Sequence, residues 1–311
     1  MTLEQLRIFV AVAEREHVTQ GARDLNLTQS ATSAAIAALE ARYATRLFDR
    51  VGRRILLTEA GRLFLGEAKA VLARACTAET VLSDLSGLRR GTLGLAASQT
   101  IANYWLPNIL HEYVASYPEI QVTVSIGNTV AVSEKIRRGT SGIGFIEGEV
   151  DDSAFATQAI GEDKLILVAA PNHPWAAARP DPAKDFSSAN WICREHGSGT
   201  RVAFEAMLAR LGLDPGGFRI ALELPSNEAI KAAVEAGAGV TILSRLVVRD
   251  ALEAGSLVHI PFDLPKQRFQ ILRHKERSVT TAESAFHRLI SDRAFQAKRR
   301  RWSSAATRWQ A

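Results

Sequence analysis

Two groups of residues in this chain have the types and spacing for recognition chemistry. The first lies near the N-terminus: Thr28, Gln29, Ser30, Thr32 and Ser33 in one short stretch, then Arg50, Arg53 and Arg54. Short amides and hydroxyls can exchange hydrogen bonds with base edges in a DNA major groove, and arginines suit phosphates or a minor groove. The second group is a set of polar turns: Ser98-Gln99-Thr100, Gly127-Asn128-Thr129, Gly197-Ser198-Gly199-Thr200-Arg201 and Ser226-Asn227-Glu228. Each follows a strand-like run and opens a helix-like one. Free backbone N–H groups at a helix start attract negative charge, and Arg201 adds a cation. Ligands of open α/β sheets bind beyond the carboxyl ends of strands. The turns together therefore predict a pocket for a small, anionic molecule, lined by Ser98, Gln99, Thr100, Thr129, Ser198, Thr200 and Arg201.

The chemistry of catalysis is not signalled. The chain has no GxxxxGK(S/T) phosphate loop, no GxSxG elbow, no HExxH and no Cys/His set at metal-ligand spacing, so neither an enzyme nor a bound metal or cofactor is expected. Cys193 with His196 could be a nucleophile and its base, but no orienting acid is evident and packing is the better reading of the cysteine.

The elements that must position these groups differ sharply along the chain. Residues 1–87 contain no proline and only Gly21, Gly52, Gly61, Gly66 and Gly87, and they read as mostly helical. From Gly91 onward short β-branched runs alternate with amphipathic stretches and all 10 prolines occur. That alternation predicts βαβ units and a mostly parallel sheet. Strands are expected near 92–97, 121–126, 142–146, 164–170, 191–193, 219–224, 240–243, 257–261 and 269–273. Helices are expected near 102–117, 130–138, 200–211, 227–236, 246–254 and 281–298. The composition, 47% hydrophobic and 23% charged, suits buried cores. A net charge of +5 mildly favours an anionic partner.

In the first part, Leu3, Leu6, Val10 and Ala13 give one helix an apolar face. Thr28 is placed to cap a third helix running from about Gln29 to Tyr43. Thr32, Ile36, Leu39 and Tyr43 share its inner face; Gln29, Ser30, Ser33, Ala34 and Ala37 lie outward. A helix this slim can lie deep in a major groove about 12 Å wide. The segment Leu47 to Thr58 then reads as a hairpin with Arg50, Arg53 and Arg54 around Gly52. From Glu59 a long helix runs to Gly87, roughly 40 Å at 1.5 Å per residue. Its stripe Phe64, Ala68, Val71, Ala75, Ala78, Leu82 and Leu85 has heptad spacing and predicts pairing with a second copy.

The head resembles the LysR family of bacterial transcription regulators. The resemblance rests on Phe9, Ala22, Leu25, Gln29, Ala31, Ser33, Ile36, Leu39-Glu40, Leu47-Phe48, Arg50, Arg54, Leu57-Thr58 and Ala60-Gly61. Thr28, Ser30 and Ala44 replace the usual Ser, Pro and Gly, and Ala34 and Ala35 are shorter than usual. Few long side chains on the reading face predict a larger share of shape and phosphate readout. Landmarks such as Leu106-Pro107, Tyr117-Pro118, His173-Pro174 and Gly237-Ala238-Gly239 extend the resemblance to about residue 295.

What the resemblance implies is a winged helix-turn-helix over 1–58, a linker and dimerisation helix over 59–90, and an effector-binding domain over 91–311. The last is a two-lobed α/β domain similar to type 2 periplasmic-binding proteins. Lobe one takes 91–161 and 269–295, lobe two takes 162–268, and a basic tail takes 296–311. The implied partners are double-stranded DNA, a small anionic effector, and further copies of the chain, as a dimer through the linker and a tetramer beyond it. The Ser98 and Gly197 turns look most like the branch regulating sulfur assimilation and carbon fixation. An exported solute receptor would share the lobes, but no leader is read at the N-terminus. No apolar run approaches the ~20 residues of a membrane span. Two distant cysteines, Cys76 and Cys193, agree with the reducing cytoplasm.

Overall fold

The computed structural model describes residues 1–51, 54–85 and 91–293. They fall into two compact units, the first holding the head and the long helix, the second the α/β domain.

The head begins with α1 (Leu3–Arg15), held at its start by Thr2 and Gln5. Thr2 Oγ1 accepts from the Gln5 N–H at 3.1 Å and the Thr2 N–H donates to Gln5 Oε1 at 3.0 Å, a reciprocal cap. After α2 (Val18–Asp24), Thr28 caps α3 (Gln29–Tyr43) as expected, its Oγ1 accepting from the Ala31 N–H at 3.2 Å. Strands β1 (Phe48–Val51) and β2 (Arg54–Leu57) pair antiparallel as the predicted hairpin. Gly52 and Arg53, at its expected tip, lie outside the described residues. Leu6, Phe9, Leu39, Leu47 and Ala68 form the core, each of the larger side chains worth about 1.5–3 kcal/mol of burial. Tyr43 departs from the expected inner face. It is 52% exposed, because α3 ends there and nothing remains to pack on it. Arg42 lies 5.7 Å from its ring centroid instead.

Thr58 starts α4 (Glu59–Leu85), its Oγ1 accepting from the Gly61 N–H at 2.9 Å. Gly61 is obligatory: a Cβ there would stand 2.1 Å from the Leu47 carbonyl oxygen. The predicted heptad stripe divides. Phe64 and Ala68 pack into the head's own core, whereas Val71 is 42% exposed. The side chains of Cys76, Leu82 and Leu85 lie outside the described residues. Among the described residues, no helix is long and apolar enough to cross a membrane.

The second unit is built on one continuous sheet of order β4-β3-β5-β11-β6-β9-β7-β8, with β10 also on β6. Lobe one uses β3 (Gly91–Ser98), β4 (Ile120–Gly127) and β5 (Ile143–Glu147). Its faces are covered by α5 (Pro107–Ser116) with a helix over 281–293, and by α6 (Thr129–Arg137). Lobe two uses β7 (Trp191–Arg194), β8 (Ile220–Leu224) and β9 (Val240–Ser244). On one face α9 (Gly199–Arg210) and the short turns α7 (Pro174–Ala177) and α8 (Pro182–Asp185) close over Trp175, Phe186, Trp191 and Phe204. On the other, α10 (Asn227–Glu235) and α11 (Arg245–Ala254) bury Ile230, Val234, Val247 and Val248.

Two long strands join the lobes. β6 (Phe155–Ala169) pairs with β11 (Lys266–His274) through Lys164, then with β9 from Leu165 and, at its end, with β10 (Val258–Ile260). The sheet is therefore mixed, not mostly parallel. β3 and β7 pair parallel with their neighbours, while β6 and β11 run antiparallel to theirs. A separate departure is a π-helical turn at Ile101–Trp105, which breaks the helix predicted over 102–117 before Pro107.

Candidate nucleic-acid interface and anion cleft

On α3, Gln29, Ser30, Ala34 and Ala37 are exposed and Ser33 is half-buried, so the outward face is as small as its sequence predicts. Thr28 is exposed, with its hydroxyl committed to the cap and 3.1 Å from Ser30 Oγ. Thr32 is a correction. It is fully buried, and its Oγ1 finds no partner among the described residues. The same four-three spacing that takes Ile36 and Leu39 inward takes Thr32 with them, so its hydroxyl cannot meet a base. Arg50 and Arg54 stand in the hairpin opposite Ile55 and Val51; Arg53 falls outside the described residues. Glu40, near the end of α3, was matched in the sequence without a role. Its Oε1 accepts from the Leu47 N–H at 2.7 Å and the Phe48 N–H at 3.2 Å, tying the reading helix to the wing.

In the α/β unit the predicted turns converge. Gln99 donates from Nε2 to the Pro225 carbonyl at 2.6 Å and accepts at Oε1 from the Asn227 N–H at 2.9 Å. Asn227, 0% exposed, donates from Nδ2 to Thr100 Oγ1 at 3.0 Å. Asn128 reaches Glu195 Oε1 at 3.1 Å, and the Val130 N–H meets the Gly197 carbonyl at 3.3 Å. Asn103 and Tyr104 donate to Glu228 Oε1 at 2.9 and 3.2 Å. Each of these bonds runs from lobe one to lobe two.

At the centre, α9 begins without a side-chain cap. Ser198, at the capping position, makes no such bond, although Ser198, Thr200 and Arg201 are all buried. By contrast, Asn128 and Ser226 cap α6 and α10. An uncapped, buried helix start leaves N–H donors and a positive dipole end for a ligand. Ser98 Oγ donates to Glu147 Oε1 at 2.9 Å, and Thr129 Oγ1 lies 3.4 Å from the Glu147 carbonyl oxygen. Gly199 lets α9 approach: a Cβ on it would stand 2.7 Å from that carbonyl oxygen.

Arg201 is the second correction. Its guanidinium faces into lobe two, bonded to Glu205 Oε1 at 2.7 Å and near the Arg194 carbonyl at 3.3 Å and Glu223 Oε2 at 3.4 Å. Side-chain direction in the first turn of a helix is set by packing, which the motif alone does not reveal. The cation beside Glu147 is instead Arg194 at the end of β7. It is 4% exposed and held by Glu195 at 2.8 and 3.0 Å and by Asn227 Oδ1 at 2.5 Å. Burial would raise the Glu195 carboxyl, but Arg194's hydrogen bonds and charge hold it below the usual range. Cys193 packs in the core of lobe two: burial pushes its thiol up to about 12, and the His196 side chain is 75% exposed.

Sequence reasoning missed Glu147. Its signal was a lone acid ending the otherwise apolar run Ile143–Glu147, which is buried throughout. Burial drives its carboxyl above the usual range, opposed by hydrogen bonds from Thr100 and Ser98.

Comparison with known proteins agrees with both halves. Residues 3–62 match the family model described as bacterial regulatory helix-turn-helix protein, lysR family, and residues 86–294 match the LysR substrate binding domain. The chain is 37% identical over 288 residues to the uncharacterized HTH-type transcriptional regulator YeiE of Escherichia coli, covering 92% of this chain and 96% of that protein. It is 35% identical over 259 residues to a probable RuBisCO transcriptional regulator of Cyanophora paradoxa, covering 82% and 80%. Among solved structures, full-length CbnR complexed with target DNA superposes with a TM-score of 0.69 at 22% identity over 94% of this chain and 100% of that one. The CcmR regulatory domain of Synechocystis in complex with 2-PG gives a TM-score of 0.59 at 26% identity over 65% and 97%.

Proposed function

The chain belongs to the LysR family of DNA-binding transcription regulators, and from that premise we propose that a small anion held between its two lobes controls its hold on an operator. The observation that carries this reading is the uncapped start of α9, buried where turns from both lobes meet. Ser98, Gln99, Thr100, Thr129, Ser198 and Thr200 surround it, with Asn128, Glu147, Arg194 and Asn227 added and Arg201 serving as a strut. In the head, Gln29, Ser30 and Ser33 read bases, Thr28 sets their helix, and Arg50, Arg53 and Arg54 engage phosphates or the minor groove. The exposed part of α4 pairs two chains, so that paired heads meet two half-sites, with a tetramer as the larger assembly. Such a regulator works in the cytoplasm, where its DNA lies.

The effector belongs among sulfur oxyanions, sugar phosphates and organic acids, in keeping with a relative named for RuBisCO regulation and a neighbour bound to 2-PG. Binding favours one lobe arrangement over another, and its effect on DNA equals its differential affinity for the two. Fluorescence anisotropy on the chain's own upstream DNA tests the head. Gln29→Ala should weaken specific binding selectively. Arg54→Ala should weaken binding to every sequence and lower the salt slope by about one. An unchanged slope removes the arginine from the interface. Thermal-shift screening of anions tests the cleft, since a ligand stabilises by RT ln(1 + [L]/Kd).

A further inference from the structure

Acceptors gather beside the buried start of α9, an unexpected surrounding for an anion. Glu147 ends β5, and its neighbour strand β11 carries Gln267 directly opposite Asp163 on β6. All three are more than nine-tenths buried. Asp163 Oδ1 accepts from Ser244 Oγ at 2.9 Å, but its Oδ2 has no partner among the described residues, and neither does Gln267 Oε1. The Gln267 amide lies against the start of α9, 2.9 Å from where a Gly199 Cβ would stand. Ser98 spends its hydroxyl on Glu147. Arg194, whose charge acts on Glu147, is engaged by Glu195 and Asn227.

An anion seated on α9 here faces a carboxyl. Two negative charges at this depth repel strongly unless a proton lies between them. We propose that the cleft takes up its anion together with one proton, shared between a ligand oxygen and Glu147, so that it selects small acids that bring a hydroxyl or protonated oxygen of their own. The proposal rests on the cleft being the effector site. An acid with its own O–H donates to the carboxylate and presents its remaining oxygens to the N–H groups of α9. An anion that only accepts must wait for solvent to protonate Glu147. The charged and polar groups facing Glu147 set that equilibrium: Asp163 from β6 and burial favour the neutral carboxyl, while Arg194 from β7 and the hydroxyls of Ser98 and Thr100 favour the ionised one.

Hydrogen phosphate and sulfate separate these cases, being alike in shape and differing in the proton. Calorimetric titration of the intact protein across pH should show phosphate bound at least about tenfold more tightly than sulfate once Glu147 has lost its proton. Sulfate affinity should fall about tenfold per pH unit above the Glu147 transition, the slope for one proton. Glu147→Gln puts a permanent amide donor at the same place. It should gain sulfate binding, lose the preference and lose the pH slope, which a merely structural role would not produce. If Glu147→Gln fails to fold, Asp163→Asn reads the same linkage by moving the sulfate transition to lower pH. Equal binding of the two anions by the wild type, or a preference kept in Glu147→Gln, overturns the proposal and leaves the cleft as an anion site. If neither anion binds the wild type, the anion reading of the cleft falls and takes the proposal with it.

Discussion

Replacing Gly199 by alanine should uncouple the lobes without harming either. The added Cβ would stand 2.7 Å from the Glu147 carbonyl oxygen, 2.9 Å from Gln267 Nε2 and 3.0 Å from the Glu147 Cβ. Ordinary contact distances are about 3.5–4.0 Å, so α9 must retreat by roughly 0.8 Å. The Gln267 amide can swing aside, but the Glu147 backbone is locked in β5 between β3 and β11. Overpacking of this kind costs about 1–3 kcal/mol. The cost falls on the contact between the lobes, because the new methyl touches none of the three main cores of the two lobes. If ligand needs closure, its Kd should rise roughly 5- to 150-fold at about 1.4 kcal/mol per factor of ten. The assay is calorimetric titration with the strongest anion from the thermal screen, on wild type, Gly199→Ala and the control Gly161→Ala, whose Cβ would meet only Phe269 at 3.8 Å. An unchanged Kd in Gly199→Ala refutes the argument. So does a weakened Kd matched by an equal loss of ligand-free stability, which would make it a folding defect.

Further outcomes follow from single residues. Ala44 ends α3 at φ 48°, ψ 36°, a left-handed conformation costing an L-residue roughly 1–2 kcal/mol. Ala44→Gly should stabilise the head by about 0.5–1 kcal/mol after the entropy of glycine is subtracted; a lower urea midpoint would contradict this. Thr32→Val removes a buried hydroxyl with no partner among the described residues and should add about 1 kcal/mol while leaving operator affinity unchanged. A loss of specific binding would return Thr32 to the reading face. Glu147 and Asp163 hold protons in the native state above the usual carboxylate range, because burial penalises their charge. The stability they contribute is complete below the unfolded carboxylate pKa and is lost as pH rises through the native values. Urea midpoints should decline as pH rises above the usual carboxylate range, and Glu147→Gln should flatten that decline.

The head was legible because its signals are local. Thr28 and Thr58 cap the helices expected of them, and the inner stripe of α3 is read correctly at Ile36 and Leu39. The failures there are also local. Thr32, correctly read as inward, was also counted among the base contacts, and Tyr43 outran the helix it should pack on. The long helix shows what periodicity leaves open: spacing gives a stripe but not its partner, and Phe64 and Ala68 turned to their own head. In the α/β unit the apolar strands were legible, but residues 155–163 were not. Gly161, Glu162 and Asp163 have little strand preference, and pairing with β11 makes them a strand. The turns were found by residue type, and the structure brings them together. The directions of Arg194 and Arg201, one toward Asn227 and the other into lobe two, are encoded by no spacing.

The bond from Glu40 to the start of the hairpin bears on what kind of operator this chain accepts. One carboxylate oxygen grips two successive amides, those of Leu47 and Phe48, from the last turns of α3. The helix proposed to read bases and the arginine-bearing ribbon are thereby spaced like the jaws of a fixed wrench. Such a tool tests the distance from one groove to the next before it tests letters. On the proposed reading of the head, duplexes whose groove spacing is wrong would be refused at the level of the backbone, and a head with few long side chains would gain its discrimination from that rigidity.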